Sequence, residues 1–471
     1  LKYSLIRQYL DSLETGKIRR ELLSLGLPSM AENAMQMLFG MVDTAFLGHL
    51  SWQAMTGAGL ANQLFFVLQV ILIAASTGVT VLISNSTGAR SWLSIGRTLW
   101  NGIYLAAIWG FVLMGLGFFS TNLFKIFPNV DPAVFEAGTQ YLRTILFGIM
   151  GMSLMSTLAA ALRGSGDTKT PMIISAISNG LNVVLDYGMI YGRLGFPKLG
   201  TTGAALATVI SRFIGAALLF MVVLKSGRLY AGEKQGKKLH FVTVKNILSV
   251  GLPTAGENLL FSTGLLLFAN ILFMAGPMAY AGHRIGINIE SISFMPGMGM
   301  SVAITALVGK YNGQGDLKKL AGVVRQGWIL TTIFQVSVGI FIFFFPQLLI
   351  ELFTNEAEII KIAELPVKLI GMFQVFLALD YVMNGALRGT GNTALPMIIT
   401  SISMWLVRLP LGYLLVSRFN LGLLGAWTGM LADMGFRSLL KMAFYLSGRW
   451  EKTARKTMIK ASTKIFDPPQ N

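Results

Sequence analysis

The sequence predicts an all-α integral membrane protein. It reads as twelve transmembrane helices in two six-helix bundles, related by an internal repeat with a pseudo-twofold axis normal to the membrane. Three observations carry that prediction. The 471-residue chain is 54% hydrophobic and only 13% charged, where soluble domains carry about 25% charged residues. Its apolar stretches recur at membrane length. A shift of 225 residues lays the sequence on itself.

Crossing a hydrocarbon core of ~30 Å takes about 20 apolar residues in a helix. Such stretches run at 22–48, 54–85, 98–118, 140–162, 170–192, 201–224, 247–273, 280–309, 326–350, 364–387, 394–416 and 422–446. They lack period-two alternation, so they read as helices and not as barrel strands. Ahead of them, residues 1–20 place Leu1, Leu5, Ile6, Tyr9, Leu10 and Leu13 opposite Lys2, Arg7 and Asp11. That pattern predicts an amphipathic helix lying on the membrane surface. No cleavable leader is expected, because the first apolar stretch begins only after this segment. The expected organisation is therefore 1–20 interfacial, 21–224 an N-lobe of six spans, 225–246 a basic linker, 247–447 a C-lobe of six spans, and 448–471 a basic tail. The tail after Trp450, with Pro468-Pro469 near its end, reads as mobile.

Net charge is +17, which in a soluble protein would suggest nucleic acid. Here 26 of the 38 basic residues fall in the tails and the loops after even-numbered spans, against eight on the opposite side. The positive-inside rule then puts both termini in the cytoplasm of a multi-pass inner-membrane protein, and nucleic acid is not an expected partner. There is no cysteine, and His49, His240 and His283 are scattered, which leaves no thiolate or histidine metal site.

The repeat is specific. Gly26-Leu27-Pro28 matches Gly251-Leu252-Pro253, and Glu32-Asn33 matches Glu257-Asn258. Ala161-Leu162-Arg163-Gly164-Ser165-Gly166-Asp167-Thr168 matches Ala386-Leu387-Arg388-Gly389-Thr390-Gly391-Asn392-Thr393. A three-residue slip follows before Leu199-Gly200 meets Leu421-Gly422. Six helices repeated by six keep their orientation, an arrangement typical of transporters that bind substrate between parallel repeats and open alternately to each side.

Carboxylates inside spans cost several kcal/mol, so each calls for a partner or a function. Glu32 and Glu257 are repeat mates, and a helix-start or interhelical hydrogen bond accounts for them. Asp43 has Phe268 as its mate, Asn182 and Asp186 have Val407 and Leu411, and Thr208 has Met430. Asn182 and Asp186 share one face of span 5. Two carboxylates, an amide and a hydroxyl present in one half only are hard oxygen ligands, suited to a small cation such as Na⁺ or to a shared proton. Glu257, Glu290, Asp380 and Arg408 form a second intramembrane set, either bracing the bundle as ion pairs or serving as a second coupling site. Asp433, Arg212 and Arg437 read as helix-end residues that snorkel or pair locally. The 25 methionines suit surfaces that accept varied apolar ligands, although packing against lipid and neighbouring helices explains most of them. Pro296 beside Gly297 marks a kink in span 8.

These residues resemble the MATE (multidrug and toxic compound extrusion) family, in its DinF-like prokaryotic branch. The resemblance rests on Gly26-Leu27-Pro28 with Val42-Asp43-Thr44, on Ala386-Leu387-Arg388-Gly389-Thr390-Gly391 with its first-half mate, and on Ser293-Phe294-Met295-Pro296-Gly297. It implies export of small amphipathic or cationic organic compounds against inward H⁺ or Na⁺, by a protein with no cofactor and no enzymatic activity. It also implies that Asp43, Asn182, Asp186 and Thr208 form the coupling site. Glu257 and Asp380 are offset from the positions of the NorM-like C-lobe carboxylates, which favours the N-lobe. A monomer in the bilayer is expected. The rival reading is a flippase for lipid-linked or polysaccharide substrates, which calls for a more cationic cleft. An intramembrane hydrolase or transferase would need a nucleophile or metal motif that the sequence lacks.

Overall fold

The computed structural model describes residues 2–127, 130–225, 227, 229 and 237–461, with side chains from Glu14 to Ile459. The expected surface-lying face of residues 1–13 and the Pro468-Pro469 end lie outside the described side chains. Every described element is helical. The chain starts with α1 (Lys2–Leu50), α2 (Trp52–Leu68), α3 (Val70–Gly88), α4 (Trp92–Leu116) and the short α5 (Ser120–Phe124). Next come α6 (Pro132–Phe147), α7 (Ile149–Gly164), α8 (Lys169–Tyr191) and α9 (Gly200–Lys225). The second half holds α10 (Phe241–Met274), α11 (Pro277–Gly313), α12 (Leu317–Phe344), α13 (Pro346–Glu351), α14 (Ala357–Met372) and α15 (Gln374–Gly389). It closes with α16 (Ala394–Ser403), α17 (Leu409–Ser417), α18 (Gly422–Leu446) and α19 (Glu451–Ala461).

Local sequence explains the punctuation. The Ser51 hydroxyl accepts from the Ala54 N–H at 3.1 Å and starts α2. Asp131 accepts from the Ala133 N–H at 2.9 Å ahead of Pro132, and Asp316 from the Lys319 N–H at 3.0 Å. Each satisfies a donor that a helix start leaves open. Gly192, at φ +70°, ends α8 in the left-handed region where a side chain would be strained.

Among the described residues, eight helices are long and apolar enough to cross a membrane, and the number is up to ten if each of the bent pairs α6–α7 and α14–α15 is one span. The bends, 54° and 52°, fall at Gly148 and Phe373, which are repeat mates. The remaining expected spans, α1 and α18, fall short in composition because they carry Glu32 and Asp43, and Asp433, Arg437 and Lys441.

The repeat extends to individual contacts. Thr80 donates to the Ala160 carbonyl at 3.0 Å, and its mate Thr305 to that of Gly385 at 3.3 Å. Ser178 donates to the Ser211 carbonyl and Ser403 to the Asp433 carbonyl, at 2.7 and 3.1 Å. Glu32 is held by Arg163 at 3.1 Å and by Ser175, and Glu257 by Arg388 at 2.7 Å and by Thr400. The two glutamates are thus interhelical ion pairs.

Two compact units emerge, and their boundaries depart from the expected 21–224 and 247–447. One is built on Ala31–Ala255, the other on Gly256–Lys460 together with the chain up to Met30. Each boundary falls inside a helix, two residues after Pro28 in α1 and two after Pro253 in α10. The hydrophobic effect explains the exchange. Ile18, Leu22 and Leu25 of α1 are buried against Ala303, Leu307, Val382 and Leu387 in the second unit. Ile247 and Val250 of α10 join Val79, Ile83, Leu99 and Leu162 in the first. The basic tail is also more ordered than expected. Its helix α19 buries Ala454 and Thr457, and Asn312 donates to the Ala454 carbonyl at 3.1 Å.

Candidate functional site

In the first unit, α1 and α8 bring two carboxylates face to face. Asn182 and Asp186 lie one turn apart on the buried face of α8, and Asn182 Nδ2 donates to Asp186 Oδ2 at 3.0 Å. Aromatic side chains of α8 fix the facing turn of α1. The Tyr191 hydroxyl donates to the Phe46 carbonyl at 2.8 Å, and the Phe46 ring meets that of Tyr191 edge-on at 6.1 Å. One turn earlier, Asp43 comes within hydrogen-bonding reach of Asp186.

The surroundings set the chemistry. Asp43 Oδ1 and Asp186 Oδ1 are both buried, and neither takes a hydrogen bond among the described residues. Tyr141 of α6 sits beside Asn62 and feels the charge of both aspartates. Arg212 of α9 is a near cation to Asp43 and Glu32. Glu32 is already neutralised by Arg163, so the set of Glu32, Asp43, Asp186, Arg163 and Arg212 carries one negative charge in excess. Repulsion between facing carboxylates favours uptake of a positive charge there. Of the four expected residues, Asp43, Asn182 and Asp186 converge. Thr208 does not join them by hydrogen bond, because its hydroxyl donates to Ala204 of its own helix at 3.1 Å. No group of three or more histidines, aspartates and glutamates forms a metal cluster among the described residues.

The second unit is built differently. The Arg408 Nε stands 3.1 Å from Asp433 Oδ2, and the guanidinium lies over the Phe261 and Phe268 rings. Arg437 reaches Asp380 at 3.4 Å and Asp433 at 3.6 Å. The Lys441 Nζ donates to Asp380 at 2.7 Å and to Asn384 and Thr400 at 3.0 Å each. With Glu257–Arg388, this set pairs each of its four cations with a carboxylate. Glu290 is buried nearby without an ion pair within 4 Å among the described residues. Of the two expectations for Asp433 and Arg437, local pairing holds and snorkelling does not: they pair with each other one turn apart on α18, and Asp433 is fully buried between two arginines. Arg212 is likewise an intramembrane neighbour of Asp43. Sequence reasoning missed Lys441 and Tyr141. The signal for Lys441 was its place two turns after Asp433 on an apolar helix, and a lysine there needs a buried acid. The helix also changes form at Arg408, where a π-helical turn spans Met404–Arg408, a distortion that often marks functional sites.

A two-repeat helical bundle with a polar site inside one repeat defines a polytopic membrane protein of transporter architecture. The MatE family profile matches the chain twice, over residues 28–188 and 253–414, and the two matches start 225 residues apart, the offset of the repeat. The chain belongs to the MatE family. It is 55% identical over 96% of its length to a Thermotoga maritima protein named a probable multidrug resistance protein NorM, covering 98% of that protein. It is 27% identical over 91% of its length to a Bacillus subtilis protein named an uncharacterized transporter YisQ, covering 94% of it. Among solved structures, it resembles a MATE complex with MaL6 at a TM-score of 0.86 and 21% identity, over 93% of this chain and 97% of that one. An outward-facing multidrug resistance MATE transporter of the MOP superfamily matches at a TM-score of 0.85 and 21% identity, over 95% and 98%. These similarities establish the twelve-helix, two-repeat fold of a multi-pass membrane protein.

Proposed function

We propose that this chain is a secondary active multidrug exporter, a transporter and not an enzyme. It expels small amphipathic or cationic organic compounds against an inward flow of ions. The Asp43–Asp186 pair is its coupling site, with Asn182 orienting Asp186 and Arg212 tuning Asp43. The observation that carries this reading is the pair of facing carboxylates, each with a buried oxygen lacking a donor, in a set one negative charge in excess. A single proton shared between the two carboxyls satisfies both oxygens. Na⁺ would draw on the same oxygens together with further ligands, and the Thr208 hydroxyl, which donates to Ala204, keeps its lone pairs for such a role. We take H⁺ as the coupling ion because one proton suffices to bridge the two carboxyls. Binding the proton removes the repulsion between α1 and α8 and changes how the two helices pack, which releases substrate outward. The protein acts as a monomer in the plasma (inner) membrane, with both termini cytoplasmic.

The test is uptake of a fluorescent organic cation into proteoliposomes carrying an imposed pH or Na⁺ gradient. Transport driven by the pH gradient and lost in Asp43→Asn supports the reading. Flux independent of either gradient overturns it. The flippase alternative requires cations free to meet phosphate. In the second unit the buried cations Arg408, Arg437 and Lys441, and the half-buried Arg388, are all engaged by carboxylates, which disfavours it.

A further inference from the structure

Away from the coupling site, the entry into α10 is laid against α4 in a way that packing alone does not require. The Tyr104 hydroxyl donates to the Lys237 carbonyl at 2.7 Å. Asn101 closes a small ring over the next residues: its Nδ2 donates to the Lys238 carbonyl at 3.2 Å, and its Oδ1 accepts from the His240 N–H at 2.8 Å. The Lys237 ammonium stands over the Trp100 ring at 5.4 Å. Four residues of a basic connection are thereby fixed in place.

What the pinned segment presents is of two kinds. Lys237 and Lys238 are exposed. Beside them the apolar side chains of Leu239, Phe241 and Val242 are 64%, 80% and 54% exposed. Basic and apolar groups side by side, with Trp100 and Tyr104 at the same level, match the chemistry of a membrane–water interface, where aromatic rings sit at headgroup depth.

Among the described residues, the Lys237 and Lys238 ammonium groups form no ion pair with a carboxylate. Desolvation, with Arg97 and Lys238 alongside, holds the His240 imidazole below its ordinary range. Two exposed ammonium groups without a carboxylate partner among the described residues favour an anion at the interface.

We propose that Lys237–Val242, clamped by Asn101 and Tyr104, is a binding site for the phosphate headgroup of an anionic phospholipid. Lys237 and Lys238 meet the phosphate, and Leu239, Phe241 and Val242 insert among the acyl chains. The apolar run decides for lipid over a soluble phosphate, because a soluble anion gives those side chains nothing to bury against.

The test compares lipid retained by the full-length protein in native mass spectrometry after exchange into mixed phosphatidylglycerol and phosphatidylcholine. Wild type is expected to retain phosphatidylglycerol selectively. Lys237→Gln/Lys238→Gln should weaken that retention on the order of tenfold, given the typical attraction of each basic side chain to an anionic surface. Lys452→Gln/Lys456→Gln, which removes two exposed charges from α19, should leave it unchanged. Equal retention by wild type and the Lys237/Lys238 variant overturns the site. So does an equal loss in both double variants, which would make the effect one of net charge. Displacement of phosphatidylglycerol by millimolar inorganic phosphate would show a soluble-anion site and overturn the lipid assignment.

Discussion

Lys441 Nζ stands 2.7 Å from Asp380 Oδ1, with Asn384 and Thr400 each accepting at 3.0 Å. All three N–H donors of a fully buried ammonium are therefore used. Removing Lys441 leaves Asp380 only the longer contact to Arg437 at 3.4 Å, and breaking a buried pair typically costs about 3–5 kcal/mol. Lys441→Met is expected to lower the melting temperature sharply in detergent. The double variant Asp380→Asn/Lys441→Met should recover most of that loss. A single variant as stable as wild type would show that the pair does not hold the fold.

The Asp43–Asp186 pair predicts the opposite pattern. Relieving repulsion between facing carboxylates stabilises, so Asp43→Asn and Asp186→Asn should melt at or above the wild-type temperature. Both should nevertheless lose gradient-driven export by at least about tenfold, because a carboxamide cannot cycle a proton. Thermal melts and proteoliposome uptake on the same preparations check both halves of the claim.

The repeat mates Glu32 and Glu257 hold Arg163 and Arg388 in the same way in both units. Glu32→Gln and Glu257→Gln should therefore destabilise by similar amounts, about 1–3 kcal/mol for a lost charge-assisted bond. Neither should alter which gradient drives transport. A change of driving ion in Glu257→Gln would instead make that glutamate part of the coupling machinery.

Gly26 and Gly251 are repeat mates that should respond differently. A β-carbon on Gly251 would overlap the Ala74 carbonyl oxygen, while one on Gly26 would meet the thioether of Met300 at 3.0 Å. A carbonyl in a helix cannot yield, whereas a methionine can. Gly251→Ala is expected to cost about 1–3 kcal/mol or prevent folding. Gly26→Ala should be neutral or slightly stabilising, since alanine favours helix. Expression level and melting temperature of the two variants settle the contrast.

Much of the fold could be read from the sequence because membrane helices declare themselves by length and hydropathy, and a repeat doubles each signal. The same logic explains where reading by hydropathy weakens. Helices α1 and α18 fall short of a span's hydropathy because Glu32, Asp43, Asp433, Arg437 and Lys441 sit in them. Asymmetry between repeat mates singled out Asp43, Asn182 and Asp186, and the structure brings these three together. It could not find Lys441, whose partner Asp380 lies 61 residues away in sequence. Nor could it show the rotamer that turns the Thr208 hydroxyl to Ala204. Contacts distant in sequence and side-chain rotation leave no periodic trace.

The exchanged helix starts bear on how such a chain could arise. Each unit borrows the opening turns of a helix whose remainder belongs to the other. A single-repeat ancestor would have been incomplete as one subunit and would have closed its core only by swapping helix starts between two copies. Within this single chain the exchange is intramolecular, and it falls two residues after Pro28 and Pro253. Two half-length polypeptides expressed separately should accordingly be soluble in detergent only when made together.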